Sequence, residues 1–178
     1  MLSSNDLIAQ IREAFKDAVF PSHLGLHAAL AMDRWVKDPE TLKKITKEKD
    51  YWGDWWDVPN EHLEKAGSLA FCYLDSIGVY FYFPAFMLRA IQEKTPKSLT
   101  PIITIMDPPN PFKHGKESYL YFCEQFNLFD DKKKKLCRDF LCYMKTIHAG
   151  RKTSLIKNID EILETDFWRL PTTTESNT

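Results

Sequence analysis

Between Gly78 and Ile91 the chain reads Gly-Val-Tyr-Phe-Tyr-Phe-Pro-Ala-Phe-Met-Leu-Arg-Ala-Ile, with Arg89 as its only charge. A helix that is apolar on every face belongs at the centre of a packed domain or in a membrane, because no side of it meets water without loss. Pro84 lies in the middle. Proline removes an amide donor, crowds the preceding turn and pushes Phe83 towards extended geometry. The sequence therefore predicts a break, followed by a fresh helix from Pro84 to Glu93 with proline in its first turn. The competing reading is a membrane span, since Asp75 is the only charge from Leu69 to Leu88, a stretch about as long as a spanning helix. Asp75, Gly78 and Pro84 argue against a span, as does a remainder too poor in apolar blocks to fold without this one. The adopted reading is a buried helical hairpin over Leu69 to Ile91.

With 178 residues the chain suits one globular domain, placed at residues 1–170 with a loose tail over 171–178. Basic and acidic side chains balance at 24 against 25, which removes the electrostatic argument for a nucleic-acid or anionic-membrane partner. Cys72, Cys123, Cys137 and Cys142 lack zinc-type spacing and read as buried free thiols. The amino terminus has neither the basic region nor the apolar run of a secretory signal, so a reducing, cytoplasmic setting is expected.

Helix signals then follow in order. Ser3 to Asn5 can cap a first helix carrying Leu7, Ile8, Ile11, Ala14, Phe15 and Ala18. A second runs from about Leu24 to Val36, and Asp38-Pro39 opens a third whose outer faces hold a lysine run. Tyr51-Trp52-Gly53-Asp54-Trp55-Trp56-Asp57 either pins its loop onto the domain or forms an exposed platform for a partner, sugar or base. Asp57 and Pro59 are read as the start of the next helix and Gly67 as its end. Ser98 to Met106, β-branched and bounded by Pro101 and Asp107-Pro108-Pro109-Asn110-Pro111, reads as an extended connector, with one edge strand as the alternative. A helix through Tyr119, Phe122, Cys123 and Phe126 precedes one capped by Asp130 or Asp131, with Leu136, Phe140, Tyr143, Met144 and Ile147 on one stripe. Asn158 or Asp160 begins the last. The fold class is mainly α: a compact bundle of about six or seven short helices with one proline-rich extended connector.

Four blocks together resemble a known family. Trp55-Trp56-Asp57-Val58-Pro59 with Leu63 is similar to its "W-x-D-[IV]-P" helix entry. Phe71-Cys72-Tyr73-Leu74-Asp75, Gly78 and Phe81-Tyr82-Phe83-Pro84-Ala85-Phe86-Met87 resemble "FL-x-P-x-GFRFYLPAYM". Phe126 to Leu141 and the terminal Ile162 to Trp168 supply the other two, in the same order over most of the chain. The pattern is that of DUF6714, an uncharacterised family of small, mostly bacterial proteins. The resemblance implies a shared fold and no assigned activity. Tyr80 stands where the pattern has arginine, and Lys133 or Lys134 where it has glutamine.

No nucleophile elbow or phosphate-cradling glycine loop is present. His23 and His27, four apart, are the candidate metal ligands, set against capping or surface roles. His27 and Asp33 could pair as acid and base only if the fold joins them, because six positions along a helix do not stack. Tyr80 and Tyr82 either bond within the core or line a cleft. The expectation is a cytoplasmic, non-enzymatic protein-binding domain of immunity or adaptor type, with Trp52, Trp55, Trp56, Tyr80 and Tyr82 as partner-binding candidates. It needs no cofactor, a homodimer is compatible with it, and membrane or nucleic-acid partners are not expected. The alternative is a small-molecule or metal-dependent enzyme using a histidine and carboxylate site.

Overall fold

The computed structural model describes residues 3–150 and 154–169. Among them lie ten α-helices: α1 (Ser4–Ala14), α2 (Leu26–Asp33), α3 (Pro39–Lys49), α4 (Asn60–Ala66), α5 (Ser76–Glu93), α6 (Pro96–Met106), α7 (Pro111–His114), α8 (Lys116–Gln125), α9 (Asp131–Ile147) and α10 (Ser154–Glu164). Trp55–Asp57 and Leu69–Cys72 form short 3-10 turns, and no strand occurs among the described residues. The mainly helical class stands, with more helices than the sequence predicts. The tail expected over 171–178 lies outside the described residues.

The central stretch is one helix rather than a hairpin broken at Pro84. Asp75 caps α5 by accepting the Gly78 amide at 2.9 Å, and the helix runs through Pro84 to a left-handed Lys94. An interior proline costs about 3 kcal/mol. Against that, every residue from Gly78 to Ile91 is buried, and each enclosed ring at positions 81, 83 and 86 contributes on the order of 2 kcal/mol. Burial wins. None of the described helices is long and apolar enough to cross a membrane; α5 is the axis on which α1, α4, α6 and α8 pack. The single charge of its buried stretch, Arg89, is neutralised by Glu93 at the end of the same helix at 2.7 Å and by Glu64 at 3.7 Å.

The expected connector over Ser98 to Met106 is α6, a correction with a similar cause. Thr95 caps it by accepting the Ser98 amide, and Pro96 sits at the first helical position, where it needs no donor. Leu99, Ile102, Ile103, Ile105 and Met106 are buried, so tertiary packing overrides the β-branched, proline-interrupted local preference. What remains non-helical of the expected connector is the short segment between Met106 and Pro111.

Capping fixes the remaining boundaries. Ser3 and Asp6 form a reciprocal capping box at α1, Asp38 accepts the Thr41 amide at α3, and Asp130 accepts the Lys133 amide at α9, each satisfying donors the helix leaves open. Asp57 is not the cap of α4, because it closes the preceding 3-10 turn and Pro59 stands at the cap position. Helix α2 is shorter than expected: Trp35 at φ 67 turns the chain out of helical geometry. Helix α10 begins at Ser154, upstream of the predicted start. Trp168 packs fully buried, its Nε1 donating to the Met106 carbonyl at 2.7 Å. Of the cysteines expected as buried thiols, Cys137 is buried, whereas Cys72 and Cys142 are exposed, which corrects their reading.

Candidate functional site

The tryptophan loop divides in two. Trp55 is fully buried and donates to the Phe15 carbonyl at 2.8 Å, which pins the loop and leaves nothing of this ring for a partner. Trp56 lies edge-on against it, half-buried. Trp52 keeps 54% of its surface exposed while its ring rests on Phe20 at 4.6 Å. Tyr80 and Tyr82 are buried as well, since α5 has no solvent side along that stretch, and this corrects their reading as partner-facing groups. The Tyr80 hydroxyl donates to Asp17 at 2.8 Å; burial first, and then that carboxylate, raise its pKa. The lysine run at the start of α9 is dispersed over Asp130, Asp139 and the Phe167 ring.

His23 and His27 do not share a ligand. His23 precedes α2 and pairs with Asp75 at 2.7 Å, whereas His27 turns to Asp50. Asp33 accepts from the Tyr73 hydroxyl, so the His27 and Asp33 pair does not form. Among the described residues, no three His, Cys, Asp or Glu side chains are grouped to hold a metal ion.

What the fold assembles instead is a polar cluster between α2, α3, α4 and α5. Asp50 follows the last residue of α3 and enters the open N-terminus of α2, whose own cap position is the side-chain-free Gly25. Its Oδ1 accepts the His27 amide at 2.9 Å and pairs with His27 Nδ1 at 3.0 Å. The carboxylate thus caps α2 from across the chain and fixes the imidazole at once. Gly25 is required there, because a Cβ would collide with the Asp50 carboxylate; its amide donates to Thr46 Oγ1 at 3.1 Å. The Asp50 side chain is 1% exposed and that of His27 12%.

Two buried atoms of the cluster, Asp50 Oδ2 and the Tyr82 hydroxyl, have no hydrogen-bond partner among the described residues. Burial, and then the Asp50 charge, push the Tyr82 phenol far above its ordinary range, with the Leu26 backbone opposing them. His62 on α4 meets the His27 ring edge-on at 4.7 Å. Burial, and then His27, hold the His62 imidazole below its ordinary value.

His27 also lines a cavity of about 230 Å³ that opens between α2, α3 and α4. Arg34, Lys49 and Lys65 line it together with the apolar Leu30, Ala31, Val36 and Ile45, no carboxylate is among its lining residues, and none of the three cations has an ion-pair partner among the described residues. With Nδ1 on Asp50, His27 retains Nε2 for whatever enters. Sequence reading found His27 and Tyr82 but missed Asp50 and His62. The available signal was Gly25 beside Leu26 and His27: a cap position with no side chain, waiting for a carboxylate from elsewhere.

Comparison with known proteins returns a family model, described as "Family of unknown function (DUF6714)", that matches residues 3–169. No curated protein and no solved structure matches the chain.

Proposed function

We propose, on the premise that the chain belongs to the DUF6714 family, that it binds a small anionic molecule in the α2–α3–α4 cavity, with His27 exchanging a proton with it. The observation that carries this reading is the position of His27. Its imidazole is held from behind by a buried carboxylate and faces a cavity walled by Arg34, Lys49 and Lys65. A carboxylate at Nδ1 fixes the tautomer and leaves Nε2 as acceptor when neutral and donor when charged, the arrangement general acid–base chemistry requires. The volume suits a ligand smaller than a nucleotide.

The test is a titration of the folded protein with inorganic phosphate, pyrophosphate, acetate and citrate, following the His27 imidazole by NMR. At least one anion is expected to move the Nε2 signal. Arg34→Ala combined with Lys65→Ala is expected to weaken that anion by about tenfold or more. Silence of His27 to every anion at millimolar concentration, or equal affinity in the charge variant, refutes the reading.

Protein binding is the second reading, favoured by two exposed indoles. Trp35 is 81% and Trp52 54% exposed, and large aromatics in water are the usual anchors of an interface. Trp35→Ser with Trp52→Ser tests it, and any partner that binds this variant as tightly as the parent protein does not use these rings.

A further inference from the structure

A second cavity, of about 500 Å³, lies on another part of the molecule, between the C-terminal turn of α6, the Leu69–Cys72 turn and α8. We propose that it binds an organic cation: an amine or quaternary ammonium group carried on an apolar body of aromatic or short alkyl type. Its walls include the apolar side chains of Phe71, Ile105 and Phe122. Asp107 and Glu117, both exposed to solvent, stand on its lining, and no lysine, arginine or histidine does. Its volume falls in the range of clefts that hold small organic molecules.

Three further features point to a cation. Asp107 directly follows the last residue of α6, so the negative end of that helix dipole lies beside it. The Asp107 carboxyl is raised by burial and then by Glu161, partly offset by His114, so a positive group arriving there would relieve it. Tyr121 adds an aromatic ring to the lining, and a cation gains from the face of such a ring.

The walls are held in place without the ligand. Gln125 Nε2 donates to the carbonyls of Phe71 and Leu74, and the Tyr121 hydroxyl shares its one proton between those of Cys72 at 3.2 Å and Leu74 at 3.4 Å. These bonds tie α8 to the turn preceding α5. The opening is therefore built into the packing, and its two carboxylates are not consumed by any ion pair among the described residues.

The experiment titrates the full chain with 4-phenylbutylamine, 4-phenylbutanol and 4-phenylbutyrate, which share one body and differ in charge. Binding is read by calorimetry and by protection of Cys72, which lines the cavity, from alkylation; exposed Cys142 on α9 serves as the internal control. The amine is expected to bind at least about tenfold more tightly than the alcohol or the acid and to slow alkylation of Cys72 alone. Asp107→Asn with Glu117→Gln is expected to erase that preference, and Thr104→Phe, which fills the cavity from the exposed side of α6, to abolish binding at unchanged melting temperature. No amine binding at millimolar concentration, equal binding of all three compounds, or retained preference in the carboxylate variant overturns the proposal. These outcomes are independent of the anion titration at His27.

Discussion

Two buried charges set the core around α5 apart from the corner where α2, α3 and α4 meet. Arg89 is 6% exposed, yet its partners Glu64 and Glu93 reach towards solvent. Asp50 is as deeply placed, but its partner His27 is only part-buried at the edge of a cavity, one carboxylate oxygen has no partner among the described residues, and an unmatched phenol lies nearby. Buried polar groups are normally satisfied. The first region has used up its polar capacity in holding the fold, whereas the second keeps some in reserve, beside a cavity. That reserve separates a site from a scaffold.

The largest effect belongs to the scaffold. Phe83 is fully enclosed among Phe71, Phe126 and Phe129, and Phe83→Ala is expected to lower unfolding free energy by about 3–5 kcal/mol, measured by urea denaturation. The two charges come next and should separate. Asp50→Leu strands the His27 amide and Nδ1–H in a buried corner and is expected to cost about 2–3 kcal/mol. Arg89→Met leaves carboxylates that can turn to water, so about 1 kcal/mol is expected. If the two substitutions cost the same, the distinction drawn between the regions fails.

The same contrast explains what the sequence could and could not reveal. Ser3, Asp38 and Asp130 announce their helices because a cap acts within three residues of itself. The buried character of the central stretch was equally plain, being a property of composition. Its continuity through Pro84 was not, and neither was the helix at Ser98 to Met106, for in both a local penalty is outweighed by burial against distant segments. The corner was half legible. His27 drew notice through its spacing from His23, a neighbour it does not work with, while Asp50 lies 23 residues away at the end of a lysine run that reads as a solvated surface. Nothing local marks a carboxylate that caps another helix.

A smaller effect tests the corner through pH. The folded-state pKa of His62 lies below its ordinary 6.5 because of burial and then His27, with Lys65 adding to the lowering and Asp50 and Glu61 opposing it. The folded protein therefore takes up this proton less readily than the unfolded chain. His62's contribution to stability is whole above pH 6.5 and declines as pH falls from there through the folded value. His62→Gln is expected to flatten the fall of the urea midpoint across that window, with little change above it. An unaltered slope would place the pH dependence elsewhere.

The smallest predicted effect has the sharpest sign. Tyr80 and Tyr82 lie two positions apart on α5 and both have hydroxyls in poorly solvated surroundings, but only Tyr80 has an acceptor, Asp17. Tyr80→Phe loses that bond and is expected to cost about 1 kcal/mol. Tyr82→Phe removes a desolvated hydroxyl that has only the Leu26 backbone beside it and no hydrogen bond of normal geometry, so unfolding free energy should hold or rise by up to about 1 kcal/mol. Paired urea titrations decide it. A clear loss on Tyr82→Phe would mean that the phenol is bonded in solution, and the corner would then resemble the Arg89 region in having nothing in reserve. A gain in stability accompanied by weaker anion binding would instead assign the hydroxyl to the ligand, because a group that destabilises the empty fold and strengthens the complex is spent on binding rather than on folding.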